Sequence, residues 1–157
     1  MTNLETNQNK HSEKSLLVER TMIAKINKSL WWHVTPSDPD AYKKRGKFLA
    51  STYLQAEFYG RPNDDPEKVN INRPVWGYSE KEILMKLFPD NHEELLSEVR
   101  VGPEDANWYS KRIELDRKMH EEAKTRGYDA IVLLCWNAKS YLLRNCKPPA
   151  IELNLMV

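Results

Sequence analysis

The chain has 157 residues, 40% of them apolar and 10% aromatic, with 24 basic against 23 acidic side chains and a net charge of +1. That length supports one domain with a buried core, and the even charge balance argues against a dedicated duplex-DNA binder, which carries a basic excess. Two cysteines, Cys135 and Cys146, exclude a disulfide scaffold and a four-cysteine zinc site, and with no 18-residue apolar run and a polar start the chain is expected in the cytoplasm, with no membrane span.

Residues 1–14 are rich in Asn, Lys, Glu and Thr and lack apolar periodicity. They read as a disordered tail before a single domain over 15–157. Leu16, Leu17, Met22, Ile23 and Ile26 recur near three and four positions, which predicts a helix over 15–27. SLWWHVT, residues 29–35, is aromatic and branched and predicts a buried strand. A loop or single helical turn covers 36–45, KFLAST a second short strand, and residues 53–59 a short helix ended by Gly60 and Pro62. Residues 69–72 alternate and predict a strand closed by Pro74.

Ser79 with Glu82 three positions on is a capping box that opens a helix, which Pro89 ends. Residues 90–100 predict a second helical piece with Leu95, Leu96 and Val99 inward. A third helix is expected from Pro103 to about residue 126, with Trp108, Leu115, Met119 and Ala123 as its stripe and Gly127 as its left-handed cap. DAIVLLCW is the strongest strand, apolar enough to be buried on both faces. A turn over 137–140, a hairpin through SYLL and a connector at 147–149 follow. The last strand, AIELNLMV, alternates Ile151, Leu153 and Leu155 with Glu152 and Asn154.

Two residues stand out chemically. Of four histidines only His33 sits in an apolar strand; by itself it reads as a core histidine with one satisfied hydrogen bond. Glu152 lies mid-strand, where acids are rare. It is either an outward charge on an edge strand or a carboxylate aimed into a cleft, and alternation cannot choose. HExxH, CxxC, GxGxxG and the P-loop pattern are absent, so no metal site, Rossmann fold or P-loop is expected. The five tryptophans read as core or pocket wall, and Asp129 as a turn-forming acid.

The order WHVT, GKFLAST, AEFYG, RGYDAIVLL and AIELNL resembles the ADP-ribosyltransferases of the diphtheria-toxin and poly-ADP-ribose-polymerase clade, in the manner of small bacterial and phage members. The resemblance covers about residues 30–157. It implies an α+β fold of two small packed antiparallel sheets with an NAD cleft between them. It also implies mono-ADP-ribosyl transfer from NAD to a macromolecule, in the first place a protein, in the cytoplasm of the producing cell or of a host it is delivered into. His33 and Glu152 would be the catalytic pair, and Thr35, Phe48, Ser51 and Tyr59 would join His33 in binding NAD. Tyr59 would stack on the nicotinamide, Ser51 would bond its carboxamide, and backbone near Thr35 would hold its amide. His33 would bond a ribose hydroxyl, and the run Lys43 to Lys47 would face the pyrophosphate. Phe48 stands where the family has a tyrosine, leaving Tyr53 or Tyr59 to supply a phenol, and Val34 replaces the usual glycine after the histidine. Phe48 keeps open one alternative, an inactive relative that binds protein or nucleic acid; a second alternative is an enzyme that uses NAD differently, as an NAD hydrolase does.

The chemistry explains why such residues would be needed. Cleaving the nicotinamide from NAD makes an oxocarbenium-like ribose. A carboxylate beneath it can bind the 2′-hydroxyl, stabilise the cation and polarise the nucleophile.

Overall fold

Five strands are formed by the described part of the chain: β1 (Trp32–His33), β2 (Lys47–Ala50), β3 (Pro74–Gly77), β4 (Ala130–Cys135) and β5 (Ala150–Leu155). They make one sheet in the order β1-β2-β5-β4-β3. This is a computed structural model, and it describes residues 3–57, 59–100, 102, 104–135 and 150–157. The helices are α1 (Asn3–Lys28), α2 (Ala41–Arg45), α3 (Tyr53–Glu57), α4 (Glu80–Leu87), α5 (His92–Arg100) and α6 (Trp108–Thr125).

The fold is therefore α+β, but it has one mixed sheet where two antiparallel sheets were expected. The reason is β5. It pairs antiparallel with β2 on one side and with β4 on the other, so it joins the two halves. β4 then pairs in parallel with β3. Directly opposed residues share a face of the sheet. Trp32, Ala50, Glu152, Leu133 and Gly77 thus form one row. His33, Leu49, Leu153, Val132 and Trp76 form the next, on the opposite face.

Each face has its own core. Ile131, Leu133 and Val75 pack under α4, α5 and α6 with Ile83, Leu84, Leu87, Leu96, Leu115 and Met119. Leu49, Val132, Leu134 and Leu153 pack with Met22 and Ile26 of α1 and with Trp31. Burying one such leucine contributes roughly 1.5–3 kcal/mol. The capping box holds: Ser79 Oγ accepts from the Glu82 N–H at 3.2 Å, and the Glu82 carboxylate accepts from the Tyr78 N–H at 2.6 Å. Leu95, Leu96 and Val99 of α5 are all buried, and Gly127 closes α6 at φ 81°.

Other elements depart from expectation. α1 begins at Asn3, inside the segment read as a tail, because a run of Glu, Gln and Lys has adequate helix propensity once a packed helix follows it. The strand predicted over 29–35 shortens to Trp32–His33, while Trp31 bridges Glu67 instead. Residues 69–72 are not a strand; Pro74 opens one rather than closing one. An edge strand tolerates proline at its first position, since no ladder donor is needed there. α6 begins at Trp108, five positions beyond the predicted start. Pro103, the turn at 137–140, the hairpin through SYLL and the connector at 147–149 lie outside the described residues.

Candidate functional site

β5 is an interior strand, so a mid-strand acid on it must go under one layer or the other. Alternation sends Glu152 beneath α4 and α6, where it is 6% exposed. The outward edge-strand reading is excluded. A buried carboxylate is costly unless it is hydrogen-bonded. Tyr59 Oη donates to Glu152 Oε1 at 2.5 Å, and Gln55 Nε2 donates to the same oxygen at 3.3 Å. Both partners come from the α3 region, which β2 delivers alongside β5.

Glu152 borders a small, half-open cleft of about 30 Å³ between the sheet face and the α4–α6 layer. Phe48, Met119 and Leu133 supply apolar walls, and Glu80 and Asp116 add two further carboxylates. Those two are held by one cation. Arg112 donates to both oxygens of Glu80 at 2.5 Å and to Asp116 Oδ1 at 3.1 Å. Glu80 is 1% exposed. A two-pronged, charge-assisted pair of this kind is what a buried carboxylate requires.

The other expected site residues divide. Phe48 lines the cleft with Glu152, and Tyr59 reaches Glu152 directly. His33 is buried at the sheet edge, and its position in the pleat belongs to the face opposite Glu152. Its Nδ1 meets the Phe48 carbonyl at 2.7 Å and its Nε2 meets the Tyr42 hydroxyl at 2.7 Å. A carbonyl only accepts, so Nδ1 carries the proton; in the neutral ring Nε2 accepts from Tyr42. Ser51 works in the ladder: its Oγ accepts from the Ile151 N–H at 2.8 Å. Thr35 Oγ1 donates to Asn63 Oδ1 at 3.0 Å on the exposed side. Tyr53 sets its ring edge-on to Trp32. Of the basic run, Lys44 pairs with Asp38 and Lys47 with Glu67. The Asp40 N–H and Lys44 hold the Asp38 carboxyl below the usual carboxylate range. Asp129 behaves as the turn acid it was read as, accepting from the N–H groups of Asn72 and Arg73.

Three participants were not foreseen: Gln55, Tyr42 and the Arg112–Glu80 pair. The first two carry no signal in sequence. Arg112 did: counting back from Leu115, Met119 and Ala123 at helical spacing puts position 112 on the buried stripe, and position 120 as well.

Among the described residues no group of three or more His, Cys, Asp or Glu is placed to hold a metal ion, and no helix is long and apolar enough to cross a membrane. No protein-family model matches the chain, and neither the curated proteins nor the solved structures searched gave a match.

Proposed function

We propose that this chain is a mono-ADP-ribosyltransferase that takes NAD as co-substrate and modifies a macromolecule, in the first place a protein. One observation carries the reading: a buried glutamate in an interior strand borders an open cleft and already accepts a hydroxyl hydrogen bond, from Tyr59. A ribose 2′-hydroxyl is the same kind of donor. In this reading it takes over that oxygen when NAD enters, with Phe48 along the cleft wall and Tyr59 turned against the nicotinamide ring.

The reaction breaks the bond between ribose C1′ and the nicotinamide nitrogen. Nicotinamide leaves with the bonding pair and becomes neutral. The acceptor's nucleophile bonds to C1′ and passes its proton to Glu152 or solvent. Glu152 stabilises the cationic ribose between those events. With its nitrogens bonded to Phe48 and Tyr42, and its pleat position on the face opposite Glu152, His33 acts on the cleft through the Phe48 backbone.

The second reading is a catalytically silent relative that binds a macromolecule. It is favoured by two observations: Phe48 has no hydroxyl, and both His33 nitrogens have intramolecular partners. Incubation of the protein with labelled NAD and cell lysate decides. Label on a macromolecular band supports transfer, and free ADP-ribose alone supports hydrolysis. No consumption of NAD, together with no thermal shift at millimolar NAD, supports the silent binder. A ligand at about 100 times its Kd should add roughly 2.7 kcal/mol of stability.

A further inference from the structure

His120 is 1% exposed, on the buried stripe of α6. Neither of its ring nitrogens has a hydrogen-bond partner among the described residues. Buried polar atoms are almost always paired, so an imidazole whose nearest acceptor, the Lys44 carbonyl, makes no well-formed bond to it calls for an account. It lies where α2 packs on α6, with the Lys44 peptide toward the ring.

Of the charges that act on the ring, Lys124 disfavours a cation and Glu121 favours one. α2 carries Lys43, Lys44 and Arg45 in its last turn, with Lys44 paired to Asp38. α6 itself brings Lys124 and the acid Glu121 to bear on the ring, with Asp116 one turn before it. From the other elements on α6, Glu80 of α4 is bound to Arg112, as is Asp116 of α6. The remaining ionisable groups of α4, namely Lys81, Glu82 and Lys86, are exposed, as are Glu93, Glu94, Glu98 and Arg100 of α5. His92 of α5 is occupied with the Phe88 carbonyl. Residues 130–134 of β4 carry no charge.

We infer that His120 is an acid-sensitive latch: the uncharged ring holds α2 against α6, and protonation frees α2 together with the contacts α2 makes at the rim of the cleft. Those contacts are specific. Tyr42 of α2 holds His33, which holds the Phe48 carbonyl. The Arg45 carbonyl accepts from Asn154 Nδ2, and Asn154 lines the cleft beside Phe48. Releasing α2 therefore loosens two cleft walls at once. The inference goes beyond the ADP-ribosyl reading and holds whatever the cleft binds.

The direction in pH follows from the surroundings. Burial first, then the Lys124 charge, holds the ring's pKa below the ordinary histidine value; the Lys44 peptide and Glu121 oppose this without reversing it. The released, hydrated ring takes a proton more readily than the docked one. Docking is therefore complete above about pH 6.5 and is lost progressively as pH falls below it.

Hydrogen exchange of the full-length protein tests this, read at the Lys44 and Gly46 amides, which bond the Asp40 and Tyr42 carbonyls. Protection is measured relative to intrinsic exchange from about pH 7.5 to about pH 5, spanning the histidine range. Wild-type protection should fall by up to about tenfold per pH unit below about 6.5, while α4 keeps its own. In His120→Phe, protection should not depend on pH. A wild-type protein with flat protection, or a variant falling in parallel with it, overturns the latch. Should His120→Phe not fold, NMR titration of the wild-type His120 ring replaces it. A ring that protonates together with the loss of α2 protection supports the latch, and one that protonates with α2 still protected overturns it.

Discussion

The Tyr59 hydroxyl donates to Glu152 Oε1 at 2.5 Å, across 93 positions of sequence. This bond joins the end of the α3 region to the middle of an interior strand. It keeps the carboxylate solvated by protein rather than by water. A group placed this way interacts strongly with a ligand that displaces its partner, because the carboxylate itself is only 6% exposed.

Glu152→Gln should retain the fold and lower NAD turnover by on the order of 10²–10³. Tyr59→Phe keeps the ring, so it should spare most turnover while costing about 1 kcal/mol of stability through the lost hydrogen bond. Initial rates with labelled NAD and urea unfolding of both variants check this. Unchanged turnover in Glu152→Gln removes the glutamate from the mechanism.

The Arg112–Glu80 pair makes a contrast with surface ion pairs such as Arg117–Glu114. Arg112→Met should cost about 3–5 kcal/mol, since it removes the cation bound to both oxygens of a carboxylate that is 1% exposed. Arg112→Met with Glu80→Met should recover much of that loss, because the penalty lies in the unmatched charge. Arg117→Met should change stability by about 1 kcal/mol or less. Urea midpoints of the three variants provide the comparison.

Gly46 turns the chain from α2 into β2 at φ 83°, and a Cβ there would lie 2.2 Å from Asn154 Oδ1 and 2.6 Å from the Leu155 carbonyl oxygen. Gly46→Ala should destabilise by about 1–3 kcal/mol from backbone strain alone, with the clash added to it. Removing the side-chain obstacle in Gly46→Ala/Asn154→Ala should restore only part, since the Leu155 carbonyl stays. Complete recovery in the double variant, measured by thermal unfolding, would show that the backbone conformation costs nothing there.

Asp129 carries the junction between the irregular 69–73 segment and β3 by accepting from Asn72 at 2.6 Å and Arg73 at 3.0 Å. Asp129→Ala should cost about 1.5–3 kcal/mol, the range for hydrogen bonds to a charged group. Asp129→Asn should cost less, because one oxygen remains to accept. The order of the two melting temperatures tests the assignment.

Local pattern determined much of this protein. Capping at Ser79, the stripe of α6, the cap at Gly127 and the apolar run of β4 are governed by neighbours a few positions apart, and all of them were legible. The long reach of α1 and the start of β3 at Pro74 were not, because packing and parallel pairing override propensity there. The candidate site was half legible. An acid flanked by Ile151 and Leu153 announced itself, and Phe48 and Tyr59 do gather around it. What only the tertiary structure decided was which face that acid takes and who shares it. β5 pairs on both edges, so the pleat commits Glu152 to the α4–α6 side and assigns the His33 position to the other. Strand alternation has a period of two and no sign. The sign comes from pairing with strands far away in sequence.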